Sequence, residues 1–159
     1  MNKFYKVSYE EYFNDVGSDE DLQQEYGDIQ LPRRATKYSA GYDFFAPFSF
    51  SLEPNETIKI PTGIRCQLDY DRFLAIYPRS SLGFKYQLGM CNTVAVCDAD
   101  YYHSDNEGHI FIKLVNRGDK TVWIKKGEAF AQGIIQYYDK TVDDDVGLTR
   151  NGGFGSTNK

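Results

Sequence analysis

The chain has 159 residues, of which 41% are hydrophobic, 16% aromatic and 26% charged, so it fits one folded globular domain rather than a disordered or fibrous chain. Its formal net charge is -5 and its pI is near 5.0, which argues against a polymeric nucleic acid partner, because such binding depends on many Lys and Arg contacts. The N-terminus lacks an apolar signal region and no stretch approaches the ~18 apolar residues of a membrane span, so we expect a cytoplasmic protein without a membrane partner.

Residues 1–36 differ in pattern from the rest of the chain. Ser8 and Glu11 have the spacing of a capping box, and the residues that follow Ser8 predict a short amphipathic helix. The next stretch, residues 17–28, is rich in carboxylates and poor in aliphatic side chains, which predicts a solvated loop. We therefore expect an N-terminal extension made of a short helix and an acidic loop.

From residue 37 to residue 149, short apolar runs alternate with Gly, Pro, Asn and Asp, as is typical of an all-β sandwich or barrel. Pro61 and Gly63 interrupt one alternating stretch, which predicts either two strands or one bent strand. This many short strands predict a jelly-roll-like fold. The predicted strands lie at residues 57–68 with that break, 73–78, 93–97, 109–116, 121–125 and 130–138.

The first candidate site is PRSSLG, residues 78–83, at the end of an apolar strand. Arg79 and the hydroxyls of Ser80 and Ser81 are donors suited to phosphate oxygens, and Gly83 permits an unusual turn. The alternative is an ordinary polar turn with a helix N-cap, a position at which Ser is common.

The second candidate site is CDADYY, residues 97–102. Asp98 and Asp100 are two residues apart after an apolar strand, so their side chains are expected on one face. Two carboxylates there suit a metal ion or a general base, although Asp-rich turns at strand ends are also common.

The third candidate site is the tail RNGGFGST, residues 150–157. Its glycines make backbone N–H groups accessible to an anion, Phe154 offers a flat face for a base, and Arg150 suits a terminal phosphate. Composition alone favours a mobile Gly-rich end.

Other kinds of catalytic site find little support. His103 and His109 are the two histidines of the chain, and their spacing favours a loop over a metal-ligand set. No Ser–His–Asp or Cys–His combination has a spacing that indicates covalent nucleophilic catalysis.

Taken in order, these segments resemble the five motifs of the trimeric dUTPase family. Each motif is short, but their common order and spacing are far more specific than any one of them. The matching segments are AGYDFFAP (40–47), PRSSLG (78–83), NTVAVCDADY (92–101), KGEAFAQGII (126–135) and RNGGFGST (150–157).

The resemblance implies an enzyme that hydrolyses dUTP to dUMP and pyrophosphate, with Asp98 as the general base that activates the attacking water. Tyr101 resembles the residue that packs against the deoxyribose and leaves no room for a 2'-hydroxyl. Asn92 and the strand after it, with Val94, Ala95 and Val96, resemble the hairpin that pairs with the uracil edge.

The other motifs imply phosphate and metal binding. Asp43 resembles a first-motif carboxylate that supports Mg²⁺ through water or orders the subunit interface. Mg²⁺ would be held mainly by phosphate oxygens and waters. Phe154, in the arm, would close over the uracil. The implied phosphate-side residues are Arg79, Ser80, Ser81, Gly83 and Gln132, joined from the arm by Arg150, Gly155, Ser156 and Thr157.

The same resemblance implies a jelly-roll-like distorted barrel of the dUTPase type and a homotrimer with shared active sites. The expected organisation is an N-terminal extension at residues 1–36, a barrel at 37–149 and a flexible arm at 150–159. The small-molecule partner would be dUTP.

Two alternatives stay open. A dCTP deaminase shares the fold and a similar PRSS turn, but it would need a Glu that the third-motif strand lacks. A catalytically silent dUTPase-like protein, with residues 1–36 in contact with a partner, is the other. The chain also departs from the family pattern at Ala95, where a glycine is usual, and in its long loop at residues 102–107.

Overall fold

Alternating apolar residues build most strands where the sequence predicts them, in a computed structural model that describes residues 1–148. In the strand Phe111–Asn116, Ile112 and Leu114 are fully buried, whereas Lys113 between them is exposed. The helices are α1 (Tyr9–Val16), α2 (Leu22–Asp28) and α3 (Ser80–Tyr86), with a 3-10 helix at Ala99–His103, and none of them is long and apolar enough to cross a membrane. The strands are β1 (Lys3–Lys6), β2 (Arg33–Arg34), β3 (Tyr42–Phe45), β4 (Phe50–Leu52), β5 (Thr57–Pro61), β6 (Ile64–Gln67), β7 (Arg72–Pro78), β8 (Leu88–Met90), β9 (Ala95–Asp98), β10 (Phe111–Asn116), β11 (Val122–Ile124) and β12 (Ala129–Tyr137).

Within residues 1–148 the strands pair in antiparallel fashion in two larger sheets. One has the order β2-β3-β12-β7-β9 and the other the order β5-β10-β8, while β1 pairs with β6 and β11 with β4. β5 and β6 are separate strands because the chain turns at Gly63, whose φ of 69° favours glycine. The all-β, jelly-roll-like fold expected from the sequence is confirmed.

One apolar core contains side chains from both larger sheets. Leu74 and Ile76 of β7, Leu114 of β10 and Phe130 of β12 are each at most 1% exposed. Burial of each such side chain contributes roughly 1.5–3 kcal/mol, so these central strands are the stable frame on which the candidate sites are built.

The first helix begins where the sequence predicts it. Ser8 is the N-cap, and its hydroxyl accepts a hydrogen bond from Glu11 N at 3.1 Å. The reciprocal hydrogen bond of the predicted box is made by a distant residue, since Ser8 N donates to Glu107 Oε2 at 2.8 Å. The helix start is thereby connected to the long loop that follows the 3-10 helix.

The acidic stretch predicted to be a solvated loop contains helix α2, so that prediction was wrong. Leu22 is 1% exposed, and the Tyr26 hydroxyl, one turn later, donates to the Val7 carbonyl at 2.7 Å. Two well-placed large side chains therefore suffice to dock this short helix, and its charged residues cover the solvent side. Leu22 belongs to the same core as the sheets, as does Tyr12 of α1, so the extension packs as part of the barrel.

Candidate active site

Three neighbouring strands bring the first, second and fourth motifs together. In β12, Gln132 lies opposite Asp43 of β3 on one side and opposite Tyr77 of β7 on the other. β7 ends at Pro78, and Arg79 follows directly. Residues far apart in sequence thus share one region of the sheet.

Asp43, Arg79 and Gln132 line a cavity of about 310 Å³. Arg79 Nε lies 3.4 Å from Asp43 Oδ1, and Gln132 Nε2 donates to the Pro78 carbonyl at 3.2 Å. The Asp43 carboxylate helps to orient the guanidinium, although the exposure of Arg79 weakens the ion pair. Guanidinium, hydroxyl and amide donors on one wall suit the oxygens of a phosphate chain. The lining residues are Ala35, Ser39, Gly41, Asp43, Arg79, Ser80, Ser81 and Gln132.

The PRSSLG motif forms the start of helix α3 rather than an open turn. Arg79 is the N-cap residue, and no side chain caps the helix. Gly83 lies inside the helix, where its N–H donates to the Arg79 carbonyl at 3.0 Å and an added Cβ would meet Leu88 O at an ordinary 3.8 Å. The expectation that Gly83 permits an unusual turn was therefore wrong, because a helical backbone requires no glycine there.

The third motif begins with a tight turn between β8 and β9. Thr93 has a left-handed φ of 66°, and Val94 N donates to Asn92 O at 2.7 Å. Cys91 N, just after β8, donates to the Lys113 carbonyl of β10 at 2.9 Å, after which the chain leaves β10 and β9 pairs with β7. This divergence opens a second cavity of about 300 Å³, lined by Lys59, Cys91, Asn92, Ala95, Phe111 and Lys113.

Side chains of β9 alternate between the core and solvent. Ala95 is 4% exposed, whereas Val96 is 53% exposed and Val94 is half-buried. The small Ala95 side chain reaches the second cavity, so a ligand there would meet the strand mainly through its backbone.

Asp98 and Tyr101 lie at the other end of β9. Asp98 is paired with Phe73 near the start of β7, whereas Pro78 ends that strand beside the first cavity. The span from Phe73 to Pro78 corresponds to roughly 17 Å at about 3.3 Å per residue. Within one chain, Asp98 therefore lies far from the Arg79 cavity. Tyr101 is 4% exposed, and its hydroxyl donates to the His109 carbonyl at 2.6 Å.

Comparison with known protein families identifies the family of the chain. The dUTPase family model matches residues 27–158, which include both cavities and Asp98. The chain belongs to the dUTPase family.

Similar proteins agree with this dUTPase assignment. The deoxyuridine 5'-triphosphate nucleotidohydrolase of Lactococcus lactis is 41% identical over 133 residues, which cover 81% of this chain and 88% of that protein. The crystal structure of the Streptococcus mutans dUTPase has a TM-score of 0.68 at 29% identity and covers 87% of this chain and 97% of its own. The fold is also that of a mutant dUTPase from phage phi11 of S. aureus, described with a structural Mg(II) ion, at a TM-score of 0.67, 18% identity, and 93% and 97% coverage.

Several residues of this dUTPase that line the cavities were not identified from the sequence. An added Cβ at Gly41 would lie 2.4 Å from Gln132 Oε1, so a side chain at residue 41 would displace the Gln132 amide from its present position. The signal was present, because Gly41 stands inside the AGYDFFAP segment. Phe111 and Lys113 line the second cavity, and their alternation with buried neighbours along β10 was the sequence signal for an outward face.

The Gly-rich arm of this dUTPase lies outside residues 1–148. The sites predicted at Arg150, Phe154, Gly155, Ser156 and Thr157 are therefore outside the described residues, and their roles stay predictions.

Proposed function

We propose that this chain hydrolyses dUTP to dUMP and pyrophosphate by in-line attack of water on the α-phosphorus, with Asp98 as the general base. The reaction follows from the family: the chain is a dUTP diphosphatase. The observation that carries the proposal is the cavity formed by Arg79, Ser80, Ser81 and Gln132, whose donors match the oxygens of a triphosphate.

The phosphate chain would bind at the start of α3. The first N–H groups of a helix have no acceptor within the helix, so those of Ser80 and Ser81 suit phosphate oxygens together with the two hydroxyls. Arg79 has further N–H donors besides the Nε that faces Asp43, and these suit two oxygens at once. Gln132 would bind from the neighbouring strand.

The uracil would bind in the second cavity. Its wall includes Asn92 and Ala95. The backbone donors and acceptors of Ala95 and of its neighbours Val94 and Val96 would suit the polar edge of a pyrimidine. A cytosine would present the opposite donor and acceptor pattern and leave buried polar groups unpaired, which is the basis of strong selectivity.

The sugar and the attacking water would lie at the far end of β9. The Tyr101 ring, held in place by its hydroxyl, would pack against the deoxyribose where a 2'-hydroxyl would clash. The Asp98 carboxylate would take the proton of the water, a contribution of typically ~10² to 10⁴ in rate.

Mg²⁺ is the proposed cofactor. Within residues 1–148, the first cavity has donors for a phosphate chain and a single carboxylate, which fits a metal ion held mainly by the substrate phosphates. The described residues contain no group of three or more His, Cys, Asp or Glu side chains arranged for a metal ion. Phosphate oxygens and waters would supply most of the ligands. Asp43 is the carboxylate of this cavity and would act through water as well as beside Arg79. When bound, Mg²⁺ neutralises charge on the phosphates.

A homotrimer with shared sites would bring the separated groups together. Within one chain, Asp98 lies beside the start of β7 and Arg79 follows its end, roughly 17 Å away. This distance is too long for both residues to act on one α-phosphate. Two different subunits would then supply Asp98 and Arg79. The arm would come from another subunit, with Phe154 over the uracil and Arg150, Gly155, Ser156 and Thr157 on the phosphates.

The proposal is tested by measuring pyrophosphate release with Mg²⁺ from dUTP, dCTP, dTTP and UTP in parallel, with each product nucleotide identified. Release from dUTP alone, with dUMP as product, is expected. Conversion of dCTP would instead favour the deaminase alternative, and inactivity on all four would favour a catalytically silent binding protein.

The Asp98→Asn variant tests the base. An amide does not accept the water proton, so kcat should fall by about 10² to 10⁴, while the dissociation constant for dUTP changes little. Asp105→Asn is the control, since it neutralises an exposed carboxylate in the following loop and should keep its activity. A turnover of Asp98→Asn close to that of the wild type would remove Asp98 from this role.

A further inference from the structure

A short turn closes around the hydroxyl of Tyr101. The Tyr101 hydroxyl donates to the His109 carbonyl at 2.6 Å, and Asn106 Nδ2 donates to the same hydroxyl at 2.9 Å. The Asn106 side chain also holds the turn itself, because its Oδ1 accepts a hydrogen bond from Gly108 N at 3.2 Å. The phenol is therefore fixed both by an acceptor and by a donor.

The backbone conformation of this turn is tightly restricted. Glu107 and Gly108 both have left-handed φ values, 55° and 72°. A Cβ at Gly108 would lie 2.7 Å from the Tyr101 carbonyl oxygen and 2.7 Å from Tyr102 Cα, so the turn packs directly on the backbone that carries the ring. Movement of the turn would consequently move Tyr101.

The N-terminal extension braces the same turn. Both oxygens of the Glu107 carboxylate accept hydrogen bonds from Ser8, from its N–H at 2.8 Å and its hydroxyl at 2.7 Å. At the other end of α1, Asp15 Oδ2 lies 2.5 Å from His109 Nδ1, and His109 is fully buried. The extension is thus tied to both sides of the Tyr101 turn.

We infer that Asn106 is a positioning residue for the preference of dUTP over UTP, and that α1 supports it through Glu107 and His109. The inference rests on the proposed role of Tyr101 at the sugar. A 2'-hydroxyl adds a single oxygen atom, so a ring that excludes it must be held within a fraction of that atom's size. Asn106 adds a second hydrogen bond to the hydroxyl that already donates to the His109 carbonyl.

The Asn106→Asp variant separates positioning from folding. A carboxylate still accepts the hydrogen bond from Gly108 N, so the turn is kept, but it has no N–H for the Tyr101 hydroxyl and offers it a competing acceptor. We expect the ratio of kcat/KM for dUTP to that for UTP to fall about tenfold, as for the loss of one buried hydrogen bond. Tyr101→Phe, which keeps the ring and removes the hydroxyl, should lower the ratio similarly.

Gln67→Ala is the matched control. It removes the acceptor of another tyrosine hydrogen bond, from Tyr5 at 3.2 Å, on the β1–β6 pair, and should leave the ratio at the wild-type value. Asp15→Ala tests the brace and should lower the ratio less than Asn106→Asp, because the Asn106 contact itself is intact. The Tm of every variant is measured, and the ratio is compared among folded variants.

The outcomes separate two kinds of failure. If Tyr101→Leu lowers the ratio but Asn106→Asp and Asn106→Ala do not, Asn106 has no positioning role and the inference is overturned. If Tyr101→Leu also leaves the ratio unchanged while dUTP is hydrolysed, the sugar role of Tyr101 is wrong and the inference fails with it. A wild-type protein without activity on dUTP would overturn the proposed function itself.

Discussion

At the scale of single residues, His109 shows how a buried side chain acquires a fixed protonation state. Gly63 N donates to its Nε2 at 2.8 Å, so Nε2 carries no proton and Nδ1–H faces Asp15. Burial lowers the pKa of His109 below its ordinary value of 6.5, and the Asp15 carboxylate, which acts in the opposite direction, does not offset it. The neutral imidazole is therefore part of the folded structure.

This state predicts a pH dependence of stability. Below about pH 6.5 the unfolded chain binds a proton at residue 109 that the folded chain does not bind, so the free energy of unfolding should decrease as the pH falls from 7 to 5. The decrease should be smaller in His109→Gln and unchanged in His103→Gln, which alters the exposed histidine. Tm measured across this pH range checks it, and equal slopes in the wild type and His109→Gln would contradict it.

At the scale of elements, the N-terminal helix is stabilised by a residue from the other half of the chain. Glu107 hydrogen-bonds to the Ser8 N-cap and lies 3.6 Å from Arg65 Nη1, so the long loop at residues 102–107 packs against the extension. A sequence pattern identifies the helix, because Ser8 and Glu11 are neighbours in the chain. It does not identify the cap partner about a hundred residues away, since only the folded barrel brings Glu107 to the helix.

Removal of the Ser8 side chain should therefore destabilise the packing of the loop as well as the helix start. Ser8→Ala deletes the hydroxyl, which is both the acceptor for Glu11 N and one of the two donors to Glu107, and we expect a loss of about 1 to 2 kcal/mol in the free energy of unfolding. Urea denaturation at one fixed protein concentration measures it, with Ser18→Ala, in the exposed linker between the helices, as the control. Equal stability of the two variants would mean that the hydrogen bonds of the Ser8 hydroxyl contribute nothing.

At the scale of the whole molecule, the arrangement of β7 and β9 separates the proposed base from the phosphate donors. β9 runs antiparallel to β7, so the end of β9 that carries Asp98 meets the start of β7, and Arg79 follows the other end. Under the proposed function, each of the two cavities described above would be part of a site that another subunit completes. An assembly that joins the cavities of neighbouring subunits would bring the proposed base close to the phosphate donors.

Shared sites predict complementation between two inactive variants. Asp98→Asn and Arg79→Ala should each be nearly inactive alone, but when they are unfolded, mixed in equal amounts and refolded together, about one quarter of the sites should contain both native groups. Activity of the mixture against each variant refolded alone is the measurement, with the molar mass determined by light scattering. No recovery in a mixed trimer would place both groups in one subunit.

The sequence by itself determined the properties that depend on neighbours in the chain or on motif order. The alternation along β10 and the break at Gly63 predicted strands, and Ser8 and Glu11 predicted the start of α1. The order of the five segments indicated the family. For residues 1–36, the start of α1 was predicted correctly, whereas the stretch predicted as a loop contains α2. The cytoplasmic location stays a prediction.

Only the tertiary structure decided what depends on packing between distant segments. α2 forms because Leu22 finds a place in the barrel core, which its acidic neighbours in sequence do not reveal. The close approach of the Gln132 amide to Gly41 involves another strand, and the turn over Tyr101 is held by α1. The physical reason is the same in each case: pattern and propensity act over a few residues, whereas burial and side-chain hydrogen bonds are settled by strands and helices that meet only in the folded chain.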